Sequence, residues 1–165
     1  MARPATLLVL TLLLAGCGAR SGGATPGGEL AAARRAATEN GVRAFMHDIA
    51  AQVSREGPAA WRGTFADGAE FFMAANGQLV FADGAAAARG IEALTHSLPK
   101  IELAFGDDLR VDPLTSTLAV VGSSYSEVQT DAQGQQHSDH GYFTGLAERR
   151  DGHWRLRSAH WSSRP

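Results

Sequence analysis

Between residues 29 and 55 the chain is alanine-rich, and Val42, Phe45, Met46, Ile49 and Val53 recur at three- and four-residue steps. That period puts all five on one face of a helix. Asn40-Gly41 is a point where the helix can kink, since glycine costs about 1 kcal/mol in a helix interior. Gly57-Pro58 ends it, and Pro58 suits the first turn of a second, short helix over residues 59–65, with Trp61 and Phe65 one turn apart on the wall of the core. The period then shortens to two. Residues 70–75 and 78–81 flank Asn76-Gly77, the strongest short hairpin signal a sequence offers. Asp83 is placed to cap a third helix over residues 84–97, which Pro99 stops. Three longer strands follow over residues 101–111, 117–130 and 138–149, with Asp112-Pro113 and residues 131–135 as turns, and a last strand ends the chain.

The last two strands flank Asp151-Gly152, a dipeptide suited to the positive φ angles of a tight turn. Two registers compete, and a one-residue slip inverts the faces. A two-residue turn pairs Leu146 with Arg157 and Tyr142 with Trp161. A three-residue turn pairs Leu146 with Leu156, Thr144 with Ser158 and Tyr142 with His160. The second is favoured because it collects Trp154, Leu156, Leu146, Thr144, Tyr142 and His160 on one face, apolar near the turn and polar further out. Phe143, Ala159 and Trp161 then lie on the opposite, outer face.

The run Asp151-Gly152-His153-Trp154-Arg155-Leu156, followed by His160-Trp161-Ser162, resembles the closing signature of the SnoaL-like branch of the nuclear transport factor 2-like superfamily. The resemblance covers roughly residues 29–163. It implies an α+β cone, a strongly curved antiparallel sheet wrapped around N-terminal helices with a cavity inside. It also implies homodimers that pair through the outer sheet face. Enzymes of this kind, such as polyketide cyclases and ketosteroid isomerases, resemble one another in holding a carboxylate or histidine base inside the cone, and no motif here fixes that base.

Ahead of the domain, Arg3 precedes an apolar run over residues 5–14, the length of a signal-peptide core and too short to span a bilayer. It ends in Leu14-Ala15-Gly16-Cys17, which resembles the bacterial lipobox. Residues 1–16 are thus expected to be a signal peptide, with Cys17 lipidated and the domain, residues 29–165, held outside the cytoplasm at the cell envelope. Residues 17–28, the cysteine and a glycine-rich stretch, read as the tether. With one cysteine no intramolecular disulfide can form. The 165 residues, 44% of them hydrophobic, suffice for one domain with a core, and a net charge of −2 without a basic stripe argues against a nucleic-acid partner.

The ligand-binding candidates are Trp61, Phe65, Tyr125, Tyr142, Thr144 and His160. His160 and Tyr142 supply the polar end of the expected pocket, Thr144 the space, and Trp61 and Phe65 the opposing wall; a small, largely apolar molecule with one polar group fits such a site. Tyr125 and Glu127 share a face of their strand, and the alternation there does not choose between pocket and solvent. Asp67 and Asp83 read as caps. His137 and His140 lie three apart, on opposite faces of a strand, and no spacing supplies three converging ligands, so no metal is expected. The glycines show neither dinucleotide nor phosphate-loop spacing, and no cofactor is expected. Three functions fit: a binding or dimerising accessory module, an acid–base enzyme acting on a small organic molecule, and a structural envelope protein.

Overall fold

Helix α1 is a single rod, Pro26–Glu56, because its one interior weakness is also a contact. Gly41 lies against the indole of Trp154, and a Cβ there would stand 3.0 Å from the ring Nε1, so the glycine opens a seat for the tryptophan and does not divide the helix. The computed structural model describes residues 26–163; the expected signal peptide, Cys17 and residues 18–25 of the tether lie outside the described residues. The helix starts within the stretch read as tether, with Pro26 in the first turn, where its missing N–H is no loss. Val42, Met46, Ile49 and Val53 are buried, while Phe45 is only partly covered.

A 3-10 helix follows over Gly57–Gly63, with Pro58 in its first turn. Strands β1 (Phe72–Ala75) and β2 (Gln78–Phe81) form the expected hairpin, in which Asn76 and Gly77 both take positive φ. Helix α2 covers Gly84–Ser97, and the Asp83 carboxylate caps it by accepting from the Ala86 N–H at 2.6 Å. Asp67 is not a cap: it accepts from Arg155 at 2.6 Å on the surface.

The strand expected over residues 101–111 is two strands, β3 (Lys100–Phe105) and β4 (Arg110–Pro113). The Gly106 N–H donates to Ser124 O, and the Asp108 carboxylate accepts from both the backbone N–H and the hydroxyl of Ser124. These bonds anchor a loop over residues 106–109 against the next strand, and the chain returns as β4 with a new register. Asp112-Pro113 therefore closes β4, and the turn comes one step later.

Strands β5 (Leu118–Thr130), β6 (Gln136–Arg150) and β7 (His153–Ser163) complete one curved sheet of order β2-β1-β7-β6-β5-β3, with β4 also on β5. Every pairing is antiparallel except β1 with β7, which is parallel. The chain reaches that position along the same edge, since Leu156 N–H donates to Thr64 O and Ala66 N–H to Leu156 O. Helix α1 lies in the hollow of the sheet and covers its β3 edge: the Ser54 hydroxyl donates to Leu103 O and accepts from Leu103 N–H. This is the α+β cone the sequence implied.

The β6–β7 register corrects the favoured one. Asp151 and Gly152 have φ of 50° and 83°, a two-residue turn that pairs Arg150 with His153 and Ala147 with Leu156. Arg157 is then an extra residue: Leu146 pairs with Ser158, and Thr144 with His160. A bulge of this kind reverses which parity faces inward. Trp154 and Leu156 point to the core before it; Ala159 and Trp161 do so after it, with Phe143 opposite Trp161. Residues that share a parity along the sequence therefore do not share a face, and His160 is separated from Trp154 and Leu156.

Candidate functional site

Phe143 is fully buried beneath Trp161, with ring centroids 4.7 Å apart, and from this contact the inner end of the cone is built. Trp161 meets Trp61 at 86° and Tyr125 at 89°, with centroids 5.9 and 4.8 Å apart. Trp61 stacks in turn on Phe65. These rings wall one side of a cavity of about 240 Å³. Met73 and Ala75 of β1, Phe81 of β2, Ile91 and Leu94 of α2, Leu98 just past its end, and Ile101 of β3 supply the remaining apolar lining. The short α2 helix thus acts as the cover, tied to the hairpin that precedes it.

All the polar lining gathers where β5, β6 and β7 run past the core. Tyr125, Glu127 and Gln129 alternate inward along β5, and Asp139 of β6 stands opposite Glu127 in the ladder. The Asp139 carboxylate accepts from the Tyr125 hydroxyl at 3.0 Å and the Ser163 hydroxyl at 2.7 Å through one oxygen, and from the His140 N–H at 2.8 Å through the other. Asn76, at the tip of the β1–β2 hairpin, holds Ser163 from the far side: its side-chain oxygen accepts from the Ser163 N–H at 2.8 Å and its amide donates to the Ser163 hydroxyl. Glu127 accepts from the Gln129 amide.

The two carboxyls are driven apart in acidity. Burial pushes Glu127 above the ordinary carboxylate range; the Gln129 amide opposes the rise and the charge of Asp139 adds to it. At Asp139 burial also disfavours the charge, but bonds from Ser163, Tyr125 and the His140 N–H, with nearby His137, outweigh it and hold the carboxyl below its ordinary range. Burial raises the Tyr125 phenol as well, opposed by its bond with Ser163 and reinforced by Asp139 and Glu127. Asp139 is thus a carboxylate with both oxygens hydrogen-bonded, whereas Glu127 has the Gln129 amide as its partner.

Of the six residues expected to bind ligand, Trp61, Phe65 and Tyr125 line this cavity together. Tyr142, Thr144 and His160 do not. The Arg157 bulge and the two-residue turn put them on the outer sheet face, where Thr144 pairs with His160 and the Tyr142 ring crosses over Gly122. Asp139, Ser163 and Asn76 were not anticipated, and Glu127 was left undecided. For Glu127 and Asp139 the signal lies in the turn over residues 131–135, which pairs the two once it is accepted; Asn76 and Ser163 have no such local signal.

No family model and no curated protein sequence matches this chain. Its fold is shared by solved structures. One is a protein from Novosphingobium aromaticivorans provisionally assigned as a scytalone dehydratase, with a TM-score of 0.67 at 12% identity over 76% of this chain and 83% of that one. Another is the hexachlorocyclohexane dehydrochlorinase LinA-type3 from Novosphingobium barchaimii, with a TM-score of 0.60 at 14% identity over 81% and 89%. A nuclear transport factor 2-like superfamily protein from Salmonella enterica gives 0.59 at 11% identity over 79% and 90%. At these identities the likeness establishes the fold, which is the nuclear transport factor 2-like cone.

Proposed function

We propose that the protein is a SnoaL-like, small-molecule-binding module of the bacterial envelope, whose cone holds a small, largely apolar molecule with one polar group. The observation that carries this reading is the segregation of the cavity lining: aromatic and aliphatic walls, with every polar side chain at one end. Such a lining orients a ligand with its polar group toward Tyr125, Glu127 and Asp139. Ala75 lies on the wall, and Ala75→Trp fills the space. Native mass spectrometry of the purified protein should detect a bound small molecule that the Ala75→Trp protein lacks. A ligand retained by the filled variant would place binding elsewhere.

A second reading, acid–base catalysis in the same cavity, is favoured by the opposed carboxyls. Two proteins of similar fold are named as a dehydratase and a dehydrochlorinase, which supports it. Asp139 has both oxygens engaged, so the proton would move through Glu127. Any turnover found should fall at least tenfold in kcat in Glu127→Gln at saturating substrate; full activity in that variant would exclude this residue.

The outer sheet face belongs to the proposal as a homodimer surface. Phe72, Leu146 and Val120 form a row through Ser158 across four strands, and no charged side chain interrupts it. Phe72, Val120 and Tyr142 are exposed there. Beyond the row the neighbouring charges are already paired, Asp112 with Arg35 and Glu148 with Arg150, so the apolar strip can meet its own copy without burying unpaired charge. The basis differs from the sequence expectation, because Phe143, Ala159 and Trp161 face the core. Lipidation at Cys17 would hold this dimer at the membrane.

A further inference from the structure

The cavity carries charge of one sign. Glu127 and Asp139 both line it, and no lysine, arginine or histidine does so among the described residues. The cation-capable group acting on Asp139 is His137, which is exposed two residues along β6 and outside the lining. Cations at neighbouring ladder positions also lie outside the lining: Lys100, opposite Thr130 of β5, pairs with Glu102; Arg110 lies opposite Gly122; and Arg150, Arg155 and Arg157 pair with Glu70, Glu148 and Asp67 further off. The polar end of the pocket therefore holds two carboxyls and no cation within its lining.

The adjoining walls are aromatic in more than one direction. Trp161 stands at right angles to both Trp61 and Tyr125, and all three line the cavity. Perpendicular rings beside carboxylates form the environment that attracts an alkylammonium group, through ring quadrupoles and through charge. A neutral ligand would fill the apolar space but leave two like charges facing each other across β5 and β6. A carboxylate or phosphate ligand would add a third.

We infer that the polar group of the ligand is a cationic amine: the cavity takes a small hydrophobic ammonium compound, its apolar body among Met73, Phe81, Ile91 and Leu94 and its charge beside Glu127 and Asp139. This rests on the cavity-binding reading and names its ligand class. The bound cation supplies the counter-charge that the lining lacks.

Phenyltrimethylammonium and tert-butylbenzene are nearly the same shape, differ by one charge, and have no titratable group of their own. Calorimetric or NMR titration of each into the purified protein isolates the charge. The cation should bind at least about tenfold more tightly, and Glu127→Gln should remove most of that advantage while leaving tert-butylbenzene binding unchanged. Near-UV circular dichroism checks that the variant keeps its aromatic packing. Binding of tert-butylbenzene as tightly as the cation overturns the inference and leaves the cavity reading standing. If neither probe binds, the cavity reading fails and the inference with it.

Discussion

Glu127 and Asp139 face one another across the β5–β6 ladder, and their surroundings shift their acidities in opposite directions. A group whose folded pKa is raised binds protons more readily in the folded state, so it weakens the fold as pH rises from its unfolded value through its folded one. Glu127 has an ordinary value of 4.5 and is raised, chiefly by burial. Glu127→Gln should therefore melt higher than the parent protein at neutral pH, and the gap should close below pH 4.5. Asp139 behaves oppositely: its stabilisation is present above its ordinary value of 3.8 and is lost as pH falls through its lowered folded value. Asp139→Asn should melt lower at neutral pH, and that deficit should shrink in acid. Equal gaps at all pH values would show that neither carboxyl is perturbed by folding.

The face assignment of the last hairpin can be tested with neighbours. Phe143→Ala should cost about 3–5 kcal/mol, because a fully buried ring under Trp161 and Phe105 leaves a cavity. Thr144→Ala, one residue on and outward, should change stability by no more than about 0.5 kcal/mol. Chemical denaturation compares them, and the reverse order of costs would restore the inverted register.

The turn itself gives a second test of that register. Asp151 sits at φ 50°, which a three-residue turn would not require, and Asp151→Val should destabilise by about 1–2 kcal/mol, since a β-branched residue resists left-handed backbone. A neutral outcome in denaturant melts would mean the turn is not the two-residue one.

How far the sequence could be read follows from where these tests point. Periodicity sufficed for α1, whose apolar stripe is long, the Asp83 cap and the Pro99 stop for α2, and Asn76-Gly77 for its hairpin. It failed where a single residue changes the count. Arg157 is an ordinary polar residue in sequence, yet as the bulge it decides that Trp161 faces the cavity and His160 faces outward. The 101–111 run failed for a similar reason, because the Asp108–Ser124 bonds that divide it are long-range. The cavity's polar end combines Asn76, Asp139 and Ser163, which meet only when β1 lies parallel on β7. A local pattern carries no trace of that meeting.

The outer row of Phe72, Leu146 and Val120 predicts self-association. Sedimentation of the purified protein at micromolar concentration should give a dimer, and Val120→Glu, which puts like charges face to face across a two-fold axis, should give a monomer. An unchanged dimer in that variant would move the interface off this face.

At the other end of the chain, Cys17→Ser should release the protein from membranes into the soluble fraction, while its melting temperature stays as in the parent domain. Membrane association that persists in the serine variant would rule out a lipid on that cysteine.

Binding in the cone cavity can be followed directly through the chain's three tryptophans. Trp61 and Trp161 line the cavity, whereas Trp154 lies against Gly41 on the far side of the core, in a separate groove. The decisive measurement is a nitrogen-15 NMR titration of small apolar ligands, phenyltrimethylammonium first, following the three indole N–H signals. The Trp61 and Trp161 signals should shift together and saturate while that of Trp154 stays in place. Movement of Trp154 alone, or saturating ligand with no response at Trp61 and Trp161, would mean that the cone cavity is not a binding site.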